Sequence, residues 1–140
     1  LEFVASIRKL NRGIANELVS SLANAFGMSD YFDSPIATLS LGMKQKVGLI
    51  AAFMHQPPVL LLDEPLASLS HKAAEGILEK LRLINAQGTG LIVIEQDTRR
   101  VLAFARRAYI LVSGSLALEG EASTILENED ARKRYLGLSG

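Results

Sequence analysis

Cysteine and tryptophan are absent from this chain, histidine occurs only at His55 and His71, and neither sign of charge is in excess, with 15 Lys and Arg against 15 Asp and Glu in 140 residues. Without cysteine there are no disulfides and no thiolate metal sites, and two histidines are too few for a histidine metal cage. The balanced charge, free of blocks of one sign, lacks the electrostatic footprint of general nucleic-acid binding, so no nucleic-acid partner is expected. Apolar runs such as VGLIAAFM and VLLL fall well short of the roughly eighteen residues that a membrane-spanning helix needs. No secretory signal pattern opens the chain. These absences read as a soluble chain, and the missing cysteine fits the cytoplasm. A mean hydropathy of +0.22 is nevertheless high for a freestanding small domain. The chain also starts inside helical periodicity, at Leu1 rather than at an initiator methionine, and is therefore expected to be a fragment.

The length suits one domain, long enough to bury roughly two thirds of the surface of its unfolded chain. Phe3, Ile7 and Leu10 form one apolar stripe, and Ile14, Leu18, Leu22 and Phe26 another, which predicts two amphipathic helices broken at Gly13. Turn residues fill GMSDYFDSP, with Gly27 as a helix C-cap. A third helix is expected from near Ser40 to about Met54, ahead of the pair Pro57 and Pro58. The aliphatic run 59–62 has the unbroken apolar texture of a parallel strand buried on both faces. Helix then follows over HKAAEGILEKLRLINAQG, strand over GLIVIEQ and helix over DTRRVLAFARRA. That order predicts a parallel α/β layer. AYILVSGSLALEG reads as a hairpin turning at Ser113 and Gly114, and the remainder as one or two short helices.

Two stretches carry chemistry. In VLLLDEP, Asp63 and Glu64 stand at the C-terminal end of a buried strand, where open α/β sheets place their ligands. Alternation along an extended chain points the two carboxylates in different directions, so one can organise a cation while the other orients a water. The plainer role for such a pair is to cap the next helix or to pair with a base. In LSLGMKQKV, Ser40 is placed as an N-cap and Gly42 leaves the free N–H groups of the helix start uncovered. A helix N-terminus favours an anion by about 0.3 to 1 kcal/mol when exposed, and phosphate is a natural occupant. The plainer role here is an ordinary capped helix.

Taken in order, these stretches resemble the nucleotide-binding domain of ATP-binding cassette (ABC) ATPases. LSLGM resembles the signature motif, LLLDEP the Walker B strand, LASLS the D-loop and LIVIEQD the switch strand. The resemblance covers nearly the whole chain, from LEFVASIRKL, similar to the first helix after the Q-loop, to RAYILVSGSLALEG, similar to the terminal hairpin. It implies that Asp63 holds Mg²⁺ through water and that Glu64 polarises the water attacking the γ-phosphate. It implies that Ser40, Leu41, Gly42 and Met43 act on ATP held by a second, facing domain in a head-to-tail dimer. Gln96 then stands at the switch position beside that phosphate, and Ser68, Leu69 and Ser70 cross the dimer seam.

Several departures accompany the resemblance. No G-x-x-x-x-G-K-[ST] phosphate loop occurs in the chain, hence no backbone nest and no lysine for the β- and γ-phosphates. Phosphoryl transfer is almost wholly positioning and charge stabilisation, so these residues alone are expected to be inactive. Gln96 replaces the switch histidine, and an amide can hydrogen-bond but cannot carry a proton near neutral pH. Ser70 replaces the D-loop aspartate, His71 follows where proline is common, and Leu41 replaces a frequent glycine. Gln96, Ser70 and the ending resemble an ATPase of branched-chain amino acid importers, whereas LEFVASIRKL and LSLGMKQKV resemble exporter ATPases.

The expected fold class is α/β, with the far half of a P-loop (RecA-like) ATPase core over 55–140 and an ABC-type helical subdomain over 1–54. The expected function is the C-terminal part of a transporter ATPase that binds and hydrolyses MgATP. Its expected partners are a second ATPase domain and a membrane permease docked on the helical subdomain, at the cytoplasmic face of the inner or plasma membrane. Two other readings are an ATPase lobe of a chromosome-maintenance or DNA-repair protein, which a long heptad coiled coil should precede, and a non-catalytic interaction module. His55 and His71 read as helix-end and surface residues, Lys44 and Lys46 as solvated, and Arg99, Arg100, Arg106 and Arg107 as a solvated helix face.

Overall fold

The computed structural model describes residues 12–135. They form helix α1 (Arg12–Ala25), two 3₁₀ turns (Ser29–Tyr31 and Ile36–Thr38), α2 (Leu41–Phe53), β1 (Val59–Asp63), α3 (His71–Ala86) and β2 (Gly90–Ile94). Then come α4 (Thr98–Phe104), β3 (Arg107–Val112), β4 (Ser115–Glu121), α5 (Ala122–Glu127) and α6 (Glu129–Tyr135). The chain divides into two compact units, one ending at Ile94 and the other beginning at Glu95. The stripe of Phe3, Ile7 and Leu10 lies outside the described residues. Gly13 is not a break ahead of the second helix; it already lies within α1.

In the first unit α1 buries Val19, Leu22, Ala23 and Phe26, a stripe at i, i+3, i+4 and i+7. This face is turned slightly from the expected one, since Val19 rather than Leu18 is fully covered. The helix ends as a Schellman motif: Gly27 (φ +63) donates to the Asn24 carbonyl at 2.9 Å and Met28 to the Ala23 carbonyl at 2.7 Å. Glycine suits this position because a β-carbon disfavours the left-handed conformation. The next helix starts and stops as expected, with Ser40 as N-cap and Met54 as C-cap.

β1 and β2 pair in parallel, from Val59 opposite Gly90 to Asp63 opposite Ile94. α3 connects them and buries Ala74, Ile77, Leu78, Leu81 and Ile84. Where α3 returns to the sheet, the buried Thr89 hydroxyl donates to the Pro57 carbonyl at 3.1 Å, and the Asn85 amide to the Thr89 carbonyl at 2.9 Å. These bonds tie the start of β2 to the entry of β1. The expectation that the strands are covered on both faces does not hold for these residues. Leu60 and Leu62 are buried, whereas Val59, Leu61, Ile92 and Ile94 are 55%, 63%, 54% and 51% exposed. One face of this ribbon is packed and the other is open. The second strand also ends at Ile94, short of Gln96.

In the second unit β3 and β4 form the expected hairpin, with positive φ at both Ser113 (50°) and Gly114 (77°). That pair matches a type I′ turn, whose twist suits the strands. A bulge lies at Ile110/Leu111. Leu102, Ala122, Ile125 and Ala131 form this unit's core, with Ala108, Ile110 and Leu118 packed against it. Arg106 and Arg107 do not continue a helix face, because α4 stops at Phe104. Arg107 opens β3; its Nε donates to the Tyr109 hydroxyl at 3.1 Å, its guanidinium lies 5.6 Å from that ring's centre, and it pairs with Glu119 at 3.6 Å. The hydrogen bond with Tyr109, followed by the fields of Tyr109 and Glu119, holds this guanidinium above its ordinary pKa.

Candidate functional site

The acidic pair is positioned by the end of the parallel ribbon. Asp63 is the last residue of β1 and is exposed. Glu64 is half-buried, and its backbone N–H donates to the Ile94 carbonyl at 2.8 Å, fixing it to the end of β2. The two carboxylates do not diverge by strand alternation. Glu64 has left the extended conformation, with φ +47, so the alternation of the strand ends before it. A non-glycine residue there is uncommon and costs about 1–3 kcal/mol, strain that tends to collect at functional sites.

The turn continues through a short loop. The Ala67 N–H donates to the Glu64 carbonyl at 3.1 Å and the Leu69 N–H to the Leu66 carbonyl at 3.3 Å. Ser68 is a second left-handed residue, at φ +59, and is exposed. Leu66, 4% exposed, anchors the loop in the core. Ser70 then caps α3, its hydroxyl accepting from the Ala73 N–H at 3.3 Å. This local role was missed in the sequence, although a serine ahead of an amphipathic run is a recognisable signal. Serine and aspartate are both strong N-caps, so the replacement of aspartate here keeps the helix start intact.

The second stretch is brought to the same loop. Ser40 caps α2, its hydroxyl accepting from the Met43 N–H at 3.3 Å. The N–H groups of Leu41 and Gly42 lie in the first turn, where no intrahelical acceptor exists. Leu41 is 51% exposed at the helix start. Gly42 faces the loop: a β-carbon added there would lie 3.5 Å from Leu69 Cδ2 and 4.0 Å from Ala73 Cβ. One turn on, Gln45 Nε2 donates to the Ala67 carbonyl at 3.4 Å. Sequence reasoning missed Gln45, since nothing in its spacing distinguishes it from a polar residue on a helix face.

Gln96 belongs to the other compact unit, in the bend between β2 and α4. Its carbonyl accepts from the Thr98 N–H at 2.8 Å, and the next residue, Asp97, caps α4 and pairs with Arg100 at 3.4 Å.

Among the described residues no group of three Asp, Glu or His side chains is placed to hold a metal. This donor set still fits Mg²⁺, which keeps several waters and takes only one or two carboxylates beside substrate phosphates. Asp63, exposed at the strand end, is such a carboxylate. Away from the acidic pair, a cavity of about 320 Å³ lies between α1, the 28–36 turn and α2, lined by Val19, Met28, Phe32, Leu39, Ile50 and Met54 among others. Among the described residues no helix is long and apolar enough to cross a membrane.

Solved structures share this fold. Over 94% of this chain and 53% of its own, cbiO1 from Clostridium perfringens, described as part of the ABC transporter complex cbiONQ, superposes with a TM-score of 0.81 at 23% identity. An ATP-binding subunit of an ABC transporter superposes over 97% of this chain and 57% of its own, with a TM-score of 0.77 at 25% identity. The fold is therefore that of the P-loop ATPase cassettes, mixed α/β with parallel and antiparallel strands. The family model described as "ABC transporter" matches residues 4–67. The "Probable ABC transporter ATP-binding protein" of Azorhizobium caulinodans is 31% identical over 96% of this chain and 48% of its own length. A "Probable branched-chain amino acid transport ATP-binding protein" of Archaeoglobus fulgidus is 38% identical over 72% of this chain and 43% of its own. The chain belongs to the ABC transporter ATP-binding family. It spans about half the length of the curated relatives it matches.

Proposed function

We propose that this chain is the C-terminal portion of an ABC transporter ATPase subunit, and that its two chemical stretches serve two different nucleotides. Asp63 and Glu64 act on the subunit's own site. Asp63 would hold Mg²⁺ through its water shell, the metal supplying charge neutralisation at the phosphates when bound. Glu64 orients the water that attacks the γ-phosphate. The first turn of α2, with Ser40, Leu41, Gly42 and Met43, faces the γ-phosphate of ATP on a second, facing ATPase domain. Gln96 stands at the switch position as a hydrogen-bonding group, and Ser68, Leu69 and Ser70 lie along the seam between the domains.

One observation carries this reading: a helix start capped by Ser40 is packed, through Gly42 and Leu69, against the loop that begins at the acidic pair. Residues 1–54 belong to the subdomain on which a membrane permease docks, at the cytoplasmic face of the membrane. Residues 55–140 form the far half of the ATPase core, whose phosphate cradle the preceding half of the subunit supplies. The test is hydrolysis of MgATP by the complete subunit. Glu64→Gln is expected to lower turnover by roughly 10² to 10⁴. Undiminished turnover in that variant removes Glu64 from the mechanism.

A further inference from the structure

Gln45 is a polar residue in an awkward place. Its Nε2 donates to the Ala67 carbonyl at 3.4 Å, twenty-two residues along the chain, while its Oε1 is buried with no hydrogen-bond partner among the described residues. If packing were the only requirement, a methionine or leucine would fill this space without leaving a buried acceptor unmade. The one bond the side chain does make reaches the carbonyl lying between the two left-handed residues, Glu64 at φ +47 and Ser68 at φ +59. Within that loop the Ala67 N–H donates to the Glu64 carbonyl and the Leu69 N–H to the Leu66 carbonyl. The same face of α2 meets the loop again one turn earlier, at Gly42 and Leu69.

We infer that Gln45 is a positioning residue, a tether that carries a displacement of the α2 N-terminus into the backbone of the loop that begins at Glu64. The helix start and the loop then move as one body, so engagement of an anion at Ser40 and Gly42 is felt at Glu64. This rests on the functional reading above, in which those groups face two different nucleotides. Gln45 touches neither nucleotide, and its effect passes through the Ala67 carbonyl.

The test uses Gln45→Met, which keeps the volume without the amide, and Gln45→Glu, which keeps the shape without the donor. In the complete subunit, hydrogen exchange at the Ala67 and Leu69 amides is expected to quicken at least about tenfold in both variants, with the thermal midpoint of Gln45→Met little changed. In the complete subunit, kcat for MgATP is expected to fall about tenfold with KM unchanged, the pattern of lost positioning rather than lost binding. Unaltered exchange at Ala67 and Leu69 overturns the tether whatever the kinetics show. Faster exchange with unaltered kcat overturns its part in catalysis. Wild-type turnover and its loss in Glu64→Gln report separately on the functional reading, because both are measured with Gln45 in place.

Discussion

Gly42 lies so close to Leu69 that a β-carbon on the glycine would sit 3.5 Å from Leu69 Cδ2, in ordinary contact with the loop that follows the acidic pair. The glycine thus leaves the helix start without a side chain of its own and close to the loop. Gly42→Asp separates the two. Its β-carbon fits, and its carboxylate in the first turn favours the helix by about 0.3 to 1 kcal/mol. The same charge repels a phosphate. The thermal midpoint is expected to hold or rise while ATP-dependent association of two domains is lost, which calorimetry and light scattering on one sample would measure.

Ser70 caps α3 through the Ala73 N–H. Ser70→Ala is expected to destabilise the chain by about 1 kcal/mol, and Ser70→Asp to leave stability within a few tenths of a kcal/mol. Urea denaturation of the two variants tests this. Equal stability of Ser70→Ala and the parent would show that the cap contributes nothing.

Val59, Leu61, Ile92 and Ile94 leave one face of the β1–β2 ribbon open, each more than half exposed. A contiguous apolar patch of this kind favours association. The 140-residue chain alone is expected to bind a hydrophobic dye and to self-associate. Leu61→Lys with Ile92→Glu, which sets opposite charges on paired positions, should suppress both with a change in unfolding free energy of no more than about 0.5 kcal/mol. A monomeric, dye-silent parent would contradict this.

How far the sequence reveals the fold depends on the range of the interaction. Ser40, Gly27 and the Ser113–Gly114 turn were legible because caps and tight turns are written in a few neighbouring residues. Leu61 was misread as covered because an unbroken aliphatic run records what a strand can bury, not whether a neighbour is present to bury it. Arg107 was misplaced because the helix ahead of it ends at Phe104, and it is held by Tyr109 within its own strand and Glu119 across the hairpin. At the candidate site, Asp63 and Glu64 stand out in the sequence by type and position. The left-handed turn at Glu64 and the reach of Gln45 to Ala67 arise from packing between elements distant in sequence, where local propensity is silent.

The central claim is that Glu64 drives hydrolysis while the start of α2 grips the nucleotide of a facing domain. It is tested most directly by sedimentation of the complete subunit carrying Glu64→Gln, with and without MgATP. The account predicts a stable dimer in MgATP that reverts to monomer on nucleotide removal and fails to form when Gly42→Asp is added. A Glu64→Gln subunit that binds MgATP yet stays monomeric at every concentration would contradict it.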